Sequence, residues 1–269
     1  MSGAARHDAG FVNDPASSRD SMKPEGFWRS SAPSGVDYVT ILANLHNTLK
    51  PKSYFEIGVL AGTTLALATC PSVGVDPVLE IKKPVLANKP FCCCFRKTSD
   101  QFFEDHNPTE ILGRPIDFAF LDGMHWFEYL LRDFINTERH CRKNSVICLH
   151  DCLPVDAYVG RRDMFDKRWE SDTHLPGGWA GDVWKVVLIL RKYRPDIKMH
   201  IVDASPTGLA AITSLDPASE ILADRYFDLV AEFRHLTLQD NGSEYLEYLN
   251  IIPASDLMSG DAISQMFWL

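Results

Sequence analysis

No stretch of this chain stays apolar over the roughly 18 to 20 residues that a membrane helix requires, so no membrane partner is expected. The opening segment, MSGAARHDAGFVNDPASS, lacks an apolar core, so no secretory signal is expected there. No Lys/Arg stripe offsets a formal net charge of −9, which disfavours a nucleic acid partner. No CxxC pair occurs, and seven cysteines without regular spacing fit neither a structural zinc site nor a disulfide framework. They fit a reducing, cytoplasmic setting instead. Internal repeats and low-complexity tracts are also absent. A small molecule is the partner class these absences leave.

With 269 residues, 45% of them apolar, the chain can bury one large core with additions at its ends. Residues 1–33 read as a flexible arm or lid, punctuated by Phe27 and Trp28. A helix is expected from Ser34 as N-cap, with Tyr38, Ile41, Leu42, Leu45 and Leu49 on one face and Pro51 as its stop. Strands and helices then alternate. SYFEI (53–57), SVGVD (72–76), FCCCFR (91–96), IDFAFL (116–121) and SVICLH (145–150) read as strands; TTLALAT, a segment from Ser99 and a segment carrying Trp126, Leu130 and Phe134 read as helices. The strands are short and apolar without alternation, as in a parallel sheet covered on both faces. The three consecutive cysteines of FCCCFR are expected to pack as small core hydrophobes.

Residues 151–181 hold no periodic segment and read as a substrate loop. A helix through Val183, Val186, Val187 and Leu190 follows. KMHIVDA and GLAAITS are then separated only by SPTG, which permits nothing but an antiparallel hairpin. A helix through Leu222, Tyr226, Leu229, Val230 and Phe233 closes the main domain, 34–240, and residues 241–269 form an extension of unassigned structure. The expected fold is α/β and doubly wound: a mostly parallel, seven-stranded sheet ending in an antiparallel hairpin.

The first strand runs into Glu56-x-Gly58-x-x-x-Gly62 at a strand–turn–helix junction, where glycines let backbone approach a ligand. Asp76, at the tip of the second strand, is placed to accept both hydroxyls of a ribose. A dinucleotide fingerprint spaces its glycines more tightly, and an acid before them suits an ammonium-bearing ligand better than a phosphate. This glycine pattern, the acid ending strand two and the final hairpin together resemble the class I S-adenosylmethionine-dependent methyltransferases over about residues 34–215. FLDGMHWFEYLLRDF and the later LHD resemble the group that includes macrocin-type and sugar O-methyltransferases. The resemblance implies S-adenosylmethionine as cofactor. Glu56, Gly58 and Gly62 would line its methionine part and Asp76 its ribose, with Ser99 and Asp100 near the adenine and Asp122 also beside the cofactor.

Asp122, His150 and Asp151 end neighbouring strands, where a His/Asp cluster can hold a divalent cation that lowers the pKa of a substrate hydroxyl. The separations resemble those of catechol-type O-methyltransferases, which carry adjacent acid and amide ligands about 28 residues after the first Asp and a lysine base three residues after it. Here His150 and Asp151 stand in the first place, and His125 in the second. The expected metal ligands are therefore Asp122, His150 and Asp151, with Mg2+ or Mn2+ as the ion, and the expected catalytic pair is His125 as base with Asp122. A histidine ligand shifts preference from Mg2+ toward Mn2+, Fe2+ or Zn2+. The plainer alternatives are that Asp122 caps the next helix, His125 lies on the surface of its first turn, and His150–Asp151 form a polar strand end. Asp133 and Glu128 are expected to face solvent or cap the helix, and His46, His140 and His235 to lie at the surface. Arg161, Arg162, Trp179 and Asp182 are candidates for substrate contact. The reading is methyl transfer to an oxygen of a small molecule; the alternatives are a small-molecule N-methyltransferase and a non-catalytic cofactor-binding regulator or scaffold.

Overall fold

The computed structural model describes residues 26–31, 33 and 35–269. Ser34, expected to cap the first helix, and residues 1–25 of the expected arm lie outside the described residues. Helix α1 (Tyr38–Leu49) is capped by Asp37, whose carboxylate accepts the Thr40 N–H at 3.0 Å, and it buries Ile41, Leu42 and Leu45. The strands follow as β1 (Tyr54–Ile57), β2 (Ser72–Val75), β3 (Cys92–Phe95), β4 (Ile116–Leu121), β5 (Cys141–His150), β6 (Lys198–Val202), β7 (Leu209–Thr213) and β8 (Ile251–Ile252). The helices between and after them are α2 (Ser99–Asp105), α3 (Pro108–Leu112), α4 (Phe127–Glu138), α5 (Trp184–Tyr193), α6 (Ile221–Asp224), α7 (Tyr226–Phe233), α8 (Leu238–Tyr248) and α9 (Gly260–Met266).

One eight-stranded sheet has the order β3-β2-β1-β4-β5-β7-β6-β8. The first five strands run parallel. β7 inserts between β5 and β6 and is antiparallel to both, as the SPTG hairpin requires. Side chains alternate along β1 between two cores: Phe55 and Ile57 join the layer under α2, α4 and α5, while Tyr54 joins the layer under α1 and α9. Both faces are covered, which is why β1, β2 and β4 are buried at every position and show no polar alternation.

The structure departs from the sequence expectations at five places. The TTLALAT segment forms only a 3-10 turn, Leu65–Leu67, because Pro71 and the start of β2 leave no room for a full helix. β3 is the edge strand, so Cys92 and Cys93 are only half-buried and Cys94 is exposed; the expectation of a cysteine core does not hold. An eighth strand, β8, pairs parallel with β6, one more than the seven expected. The tail carrying β8 and α9 packs on α1, where Ala254, Leu257, Ile263 and Phe267 complete the core on that side. Within the segment expected as a substrate loop, residues 151–160 are all buried and exposure begins at residue 162. The described part of the N-terminal segment is packed as well, with Trp28 only 8% exposed and seated on Gly242. Among the described residues no helix is long and apolar enough to cross a membrane.

Candidate active site at the strand tips

β1 ends in the turn that carries Gly58 and Gly62. Gly58 has φ +91°, and a Cβ there would collide with the carbonyl oxygen of Asp122. Its N–H donates to Val75 O at 2.9 Å, and the Asp122 N–H donates to Ile57 O at 2.9 Å. The glycine turn is thereby fixed between the tips of β2 and β4. Asp76 ties the same turn to the start of the β2–β3 connection: its carboxylate accepts the Leu60 N–H at 2.8 Å and the Val78 N–H at 2.7 Å. Each oxygen retains a lone pair for a hydroxyl donor.

Glu56 lies one layer below. It is fully buried, and its two oxygens accept the hydroxyls of Tyr54 (2.5 Å) and Thr64 (2.8 Å). Burial pushes its pKa up to about 8, against the two hydroxyl donors. Glu56 therefore ties the glycine turn to the strand from beneath and presents no surface to a ligand. Over the turn lies the β2–β3 connection. Glu80 donates to Leu60 O and Lys82 to Ala61 O, both at 2.9 Å, and Val85 with Ile81 cover Gly62.

Next to the turn, β4 and β5 deliver the polar cluster. His125 Nε2 lies 3.3 Å from Asp122 Oδ1, and its Nδ1 lies 3.3 Å from Asp151 Oδ2. His150 Nδ1 lies 3.2 Å from Asp122 Oδ1. Asp151 adopts a left-handed backbone (φ 61°), and its Oδ1 accepts the Thr207 hydroxyl. Burial opposes charge on His125, but the two carboxylates and the Trp179 carbonyl outweigh it and hold the imidazole up at about 9. Burial likewise disfavours an ionised Asp122, yet His150 and His125 hold its carboxyl below the usual carboxylate range. His150 is raised for the same reason: Asp122 and Asp151 overcome its burial.

The atoms that converge on one point are those of Asp122, His125 and Asp151, one from each within 4.8 Å of the others. His150, the ligand expected from the sequence, also lies against both acids, with Nδ1 3.2 Å from Asp122 Oδ1 and 3.5 Å from Asp151 Oδ1. The His150 ring packs on Tyr38, centroids 4.0 Å apart, and its Nε2 is buried without a partner. Two carboxylates and one imidazole suit a divalent cation, and the 3.3 Å from His125 Nε2 to Asp122 Oδ1 lies near the ~3.0 Å edge of an octahedron with ~2.1 Å bonds. Without an ion, the His125 imidazole, held up at about 9, carries charge that offsets the acids.

Loop 151–181 reaches this cluster from one side. Gly181 has φ +63° and sits so close to His125 that a Cβ would collide with its carbonyl oxygen. Asp182 then accepts the Phe127 N–H (3.0 Å) and holds Arg162 (2.9 Å) and the buried Lys185 (2.8 Å). Arg161 lies over the Tyr158 ring at 3.6 Å, so Arg161, Arg162 and Asp182 are already engaged by the protein. Trp179 alone of the four candidates stacks on His125.

Other expectations separate. Asp100 forms a two-point bridge to Arg132 (2.8 and 2.6 Å), while Ser99 opens α2 beside it. Asp133, expected at the surface or as a cap, is 2% exposed beneath Ser99, and burial pushes its pKa up to about 7. Glu128 pairs with Arg162 at 2.7 Å. His46, also expected at the surface, is 6% exposed and edge-on to Tyr54 and Phe118; burial pushes its pKa down to about 3. Its spacing of four from Leu42, on the buried face of α1, is the signal that would have placed it.

A family model described as a methyltransferase domain matches residues 81–152, from the β2–β3 connection through Asp122 and His125 to Asp151. No curated protein matches the chain significantly. Solved structures similar to it include an O-methyltransferase from Bacillus cereus in complex with SAH, 14% identical over 65% of this chain and 79% of that one, with TM-score 0.45. A second is the O-methyltransferase TomG of Streptomyces achromogenes, involved in tomaymycin synthesis and solved with SAM, at 13% identity, 66% and 79% coverage and TM-score 0.44. A third is the SAH-bound methyltransferase PaMTH1 of Podospora anserina, at 12% identity, 66% and 78% coverage and TM-score 0.46. The fold of this chain is α/β, with the mainly parallel sheet and antiparallel β7 expected from the sequence.

Proposed function

We propose that this chain is an S-adenosylmethionine-dependent methyltransferase acting on an oxygen of a small molecule. One observation carries the reading: the glycine turn and the Asp122–His125–Asp151 cluster share a wall, since Gly58 is seated on the Asp122 carbonyl. A donor held on the turn lies beside the group that would prepare the acceptor. The match of residues 81–152 to a methyltransferase domain supports the same chemistry.

In this reading the turn from Gly58 to Gly62 and Asp76 hold the cofactor, with Ser99 and Asp100 on its far side. Methyl transfer is an in-line substitution, so the protein's tasks are alignment, exclusion of water and control of the acceptor's proton. Asp122, His125 and Asp151 would hold a divalent cation. Such an ion, when bound, lowers the pKa of a hydroxyl and orients it. His125 donates through Nδ1 to the Trp179 carbonyl at 2.9 Å, so only Nε2 can serve as ligand or base. With its pKa held up at about 9, that nitrogen carries a proton at neutral pH until a cation replaces it. Asp151 as well as Asp122 holds that proton on the ring, which disfavours His125 as a free base at neutral pH. Trp179 and Tyr38 supply flat apolar walls for an acceptor.

Calorimetric titration with S-adenosylmethionine, S-adenosylhomocysteine and NAD tests the cofactor. Binding of the first two and not the third is expected; binding of NAD alone would overturn the reading. Methyl transfer into a pool of hydroxylated and aminated small molecules, with and without chelator, then tests the acceptor atom and the ion.

A further inference from the structure

β3 forms the outer edge of the sheet, and no strand among the described residues pairs with its free side. Its side chains alternate. Cys93 packs with the α2–α4 core, whereas Cys92 and Cys94 share the opposite face. On that face their sulfurs lie 3.9 Å apart, with Cys92 half-buried and Cys94 exposed. The remaining cysteines, Cys70, Cys141, Cys148 and Cys152, are all buried. One pair of thiols is thus both adjacent and open to solvent.

We propose that Cys92 and Cys94 form a two-thiolate binding site for a thiophilic divalent cation of the zinc and cadmium class, separate from the strand-tip cluster. Two bonds of ~2.3 Å meeting at the tetrahedral angle span about 3.8 Å between sulfurs, so the pair fits that edge without moving the strand. A disulfide requires sulfurs near ~2.05 Å, and β3 would have to pinch to reach it. Exposure of Cys94 leaves the other two coordination positions to water.

The electrostatics favour loss of a proton from the pair. One thiol donates to the other, which holds Cys94 below the usual thiol range while Cys92 is raised. Lys89 adds positive charge nearby, and its ammonium is anchored on the Leu65 carbonyl at 2.6 Å. It favours the Cys94 thiolate over the thiol, and a bound cation would take the place of the proton that Cys92 retains.

Cadmium titration of the reduced full-length chain tests this through the sulfur-to-cadmium charge-transfer band, which carboxylate and imidazole ligands do not produce. The band should saturate at one cadmium per chain, disappear in Cys92→Ser and in Cys94→Ser, and persist in Cys93→Ser. Phenylarsine oxide gives an independent readout. It condenses with two thiols, forming two As–S bonds and releasing one water, so one adduct per chain should be seen by mass spectrometry and be lost in the same two variants. Absence of the band in the reduced chain would overturn the proposal. So would a band and adduct that survive in both serine variants.

Discussion

Trp179 and His125 lie ring against ring, centroids 5.2 Å apart and 29° from parallel, while the Trp179 carbonyl faces His125 Nδ1 at 2.9 Å. A single residue of the loop therefore sets both the plane and the tautomer of the imidazole. Gly181 follows two residues later and locks the loop onto the His125 backbone. Gly181→Ala should push the loop away, because a methyl cannot occupy the space of a carbonyl oxygen. The expected result is a fall in turnover of at least about tenfold, with cofactor affinity changed less than about twofold, since the glycine turn is untouched. Trp179→Ala keeps the carbonyl and removes only the ring, so it should cost less than Gly181→Ala. Steady-state kinetics beside calorimetry of S-adenosylhomocysteine binding decides between these outcomes.

Metal affinity should depend on pH through His125. The imidazole is protonated below about 9, and a cation must displace that proton to reach Nε2. Affinity should thus rise about tenfold per pH unit on approaching 9 from below, with about one proton released per ion. Titration in buffers of different ionisation enthalpy counts that proton directly. The metal-free chain carries the matching stability term. His125 has a folded pKa above its unfolded one of ~6.5, so its contribution is complete below ~6.5 and is lost as pH rises through about 9. His125→Gln should remove that slope from thermal melts. A metal affinity flat from pH 6 to 9 would show that His125 is not a ligand.

Asp76 has two roles that substitution can separate. It accepts one backbone N–H of the glycine turn, from Leu60, and one from Val78 in the β2–β3 connection, and retains acceptor capacity for a ribose. Asp76→Ala leaves those N–H groups without a partner, at about 1 to 3 kcal/mol in stability, and should weaken S-adenosylhomocysteine tenfold or more. Asp76→Asn keeps one strong acceptor oxygen and should recover most of the stability but not the affinity. Equal cofactor affinity in native and Asp76→Asn protein would restrict Asp76 to holding the turn.

The legible part of this fold was its periodicity. Short apolar strands and the SPTG hairpin placed β1 to β7, and the Gly58 and Asp76 positions marked the strand tips where the site forms. The illegible part depends on who neighbours whom. FCCCFR looks buried by composition, but edge or centre is decided by strand order, and β3 falls at the edge. Asp133 is a polar residue on an amphipathic helix, and nothing local shows that Ser99 awaits it, whereas the helical spacing from Leu42 puts His46 on the buried face without showing the Tyr54–Phe118 pair it meets. His125 and His150 are both near Asp122 in sequence terms. Both rings lie within 3.5 Å of both carboxylates, a convergence that needs the neighbouring strand tips and the left-handed backbone at Asp151. The tail could not be placed because β8 is two residues long and gains its partner from β6.

Glu56 distinguishes a buried tie from a ligand-binding acid. Its carboxyl is enclosed by Tyr54 and Thr64, and burial raises its pKa from 4.5 to about 8. A group with a raised folded pKa stabilises fully below its unfolded value and loses that contribution as pH climbs through the folded one. For Glu56 the window therefore runs from about 4.5 to 8, below and overlapping that of His125. Glu56→Gln is neutral at every pH and still offers an oxygen to one hydroxyl and an amide N–H to the other. Relative to the native chain, the variant should gain stability steadily as pH rises through this window and level off above it. Melting curves at closely spaced pH values, in the His125→Gln background to remove the overlapping term, measure that gain. Because the carboxyl has no exposed surface, S-adenosylhomocysteine affinity should stay within about twofold of native across the same range. A loss of affinity in Glu56→Gln that grows with pH, without a matching change in stability, would instead place the ammonium of the cofactor against Glu56.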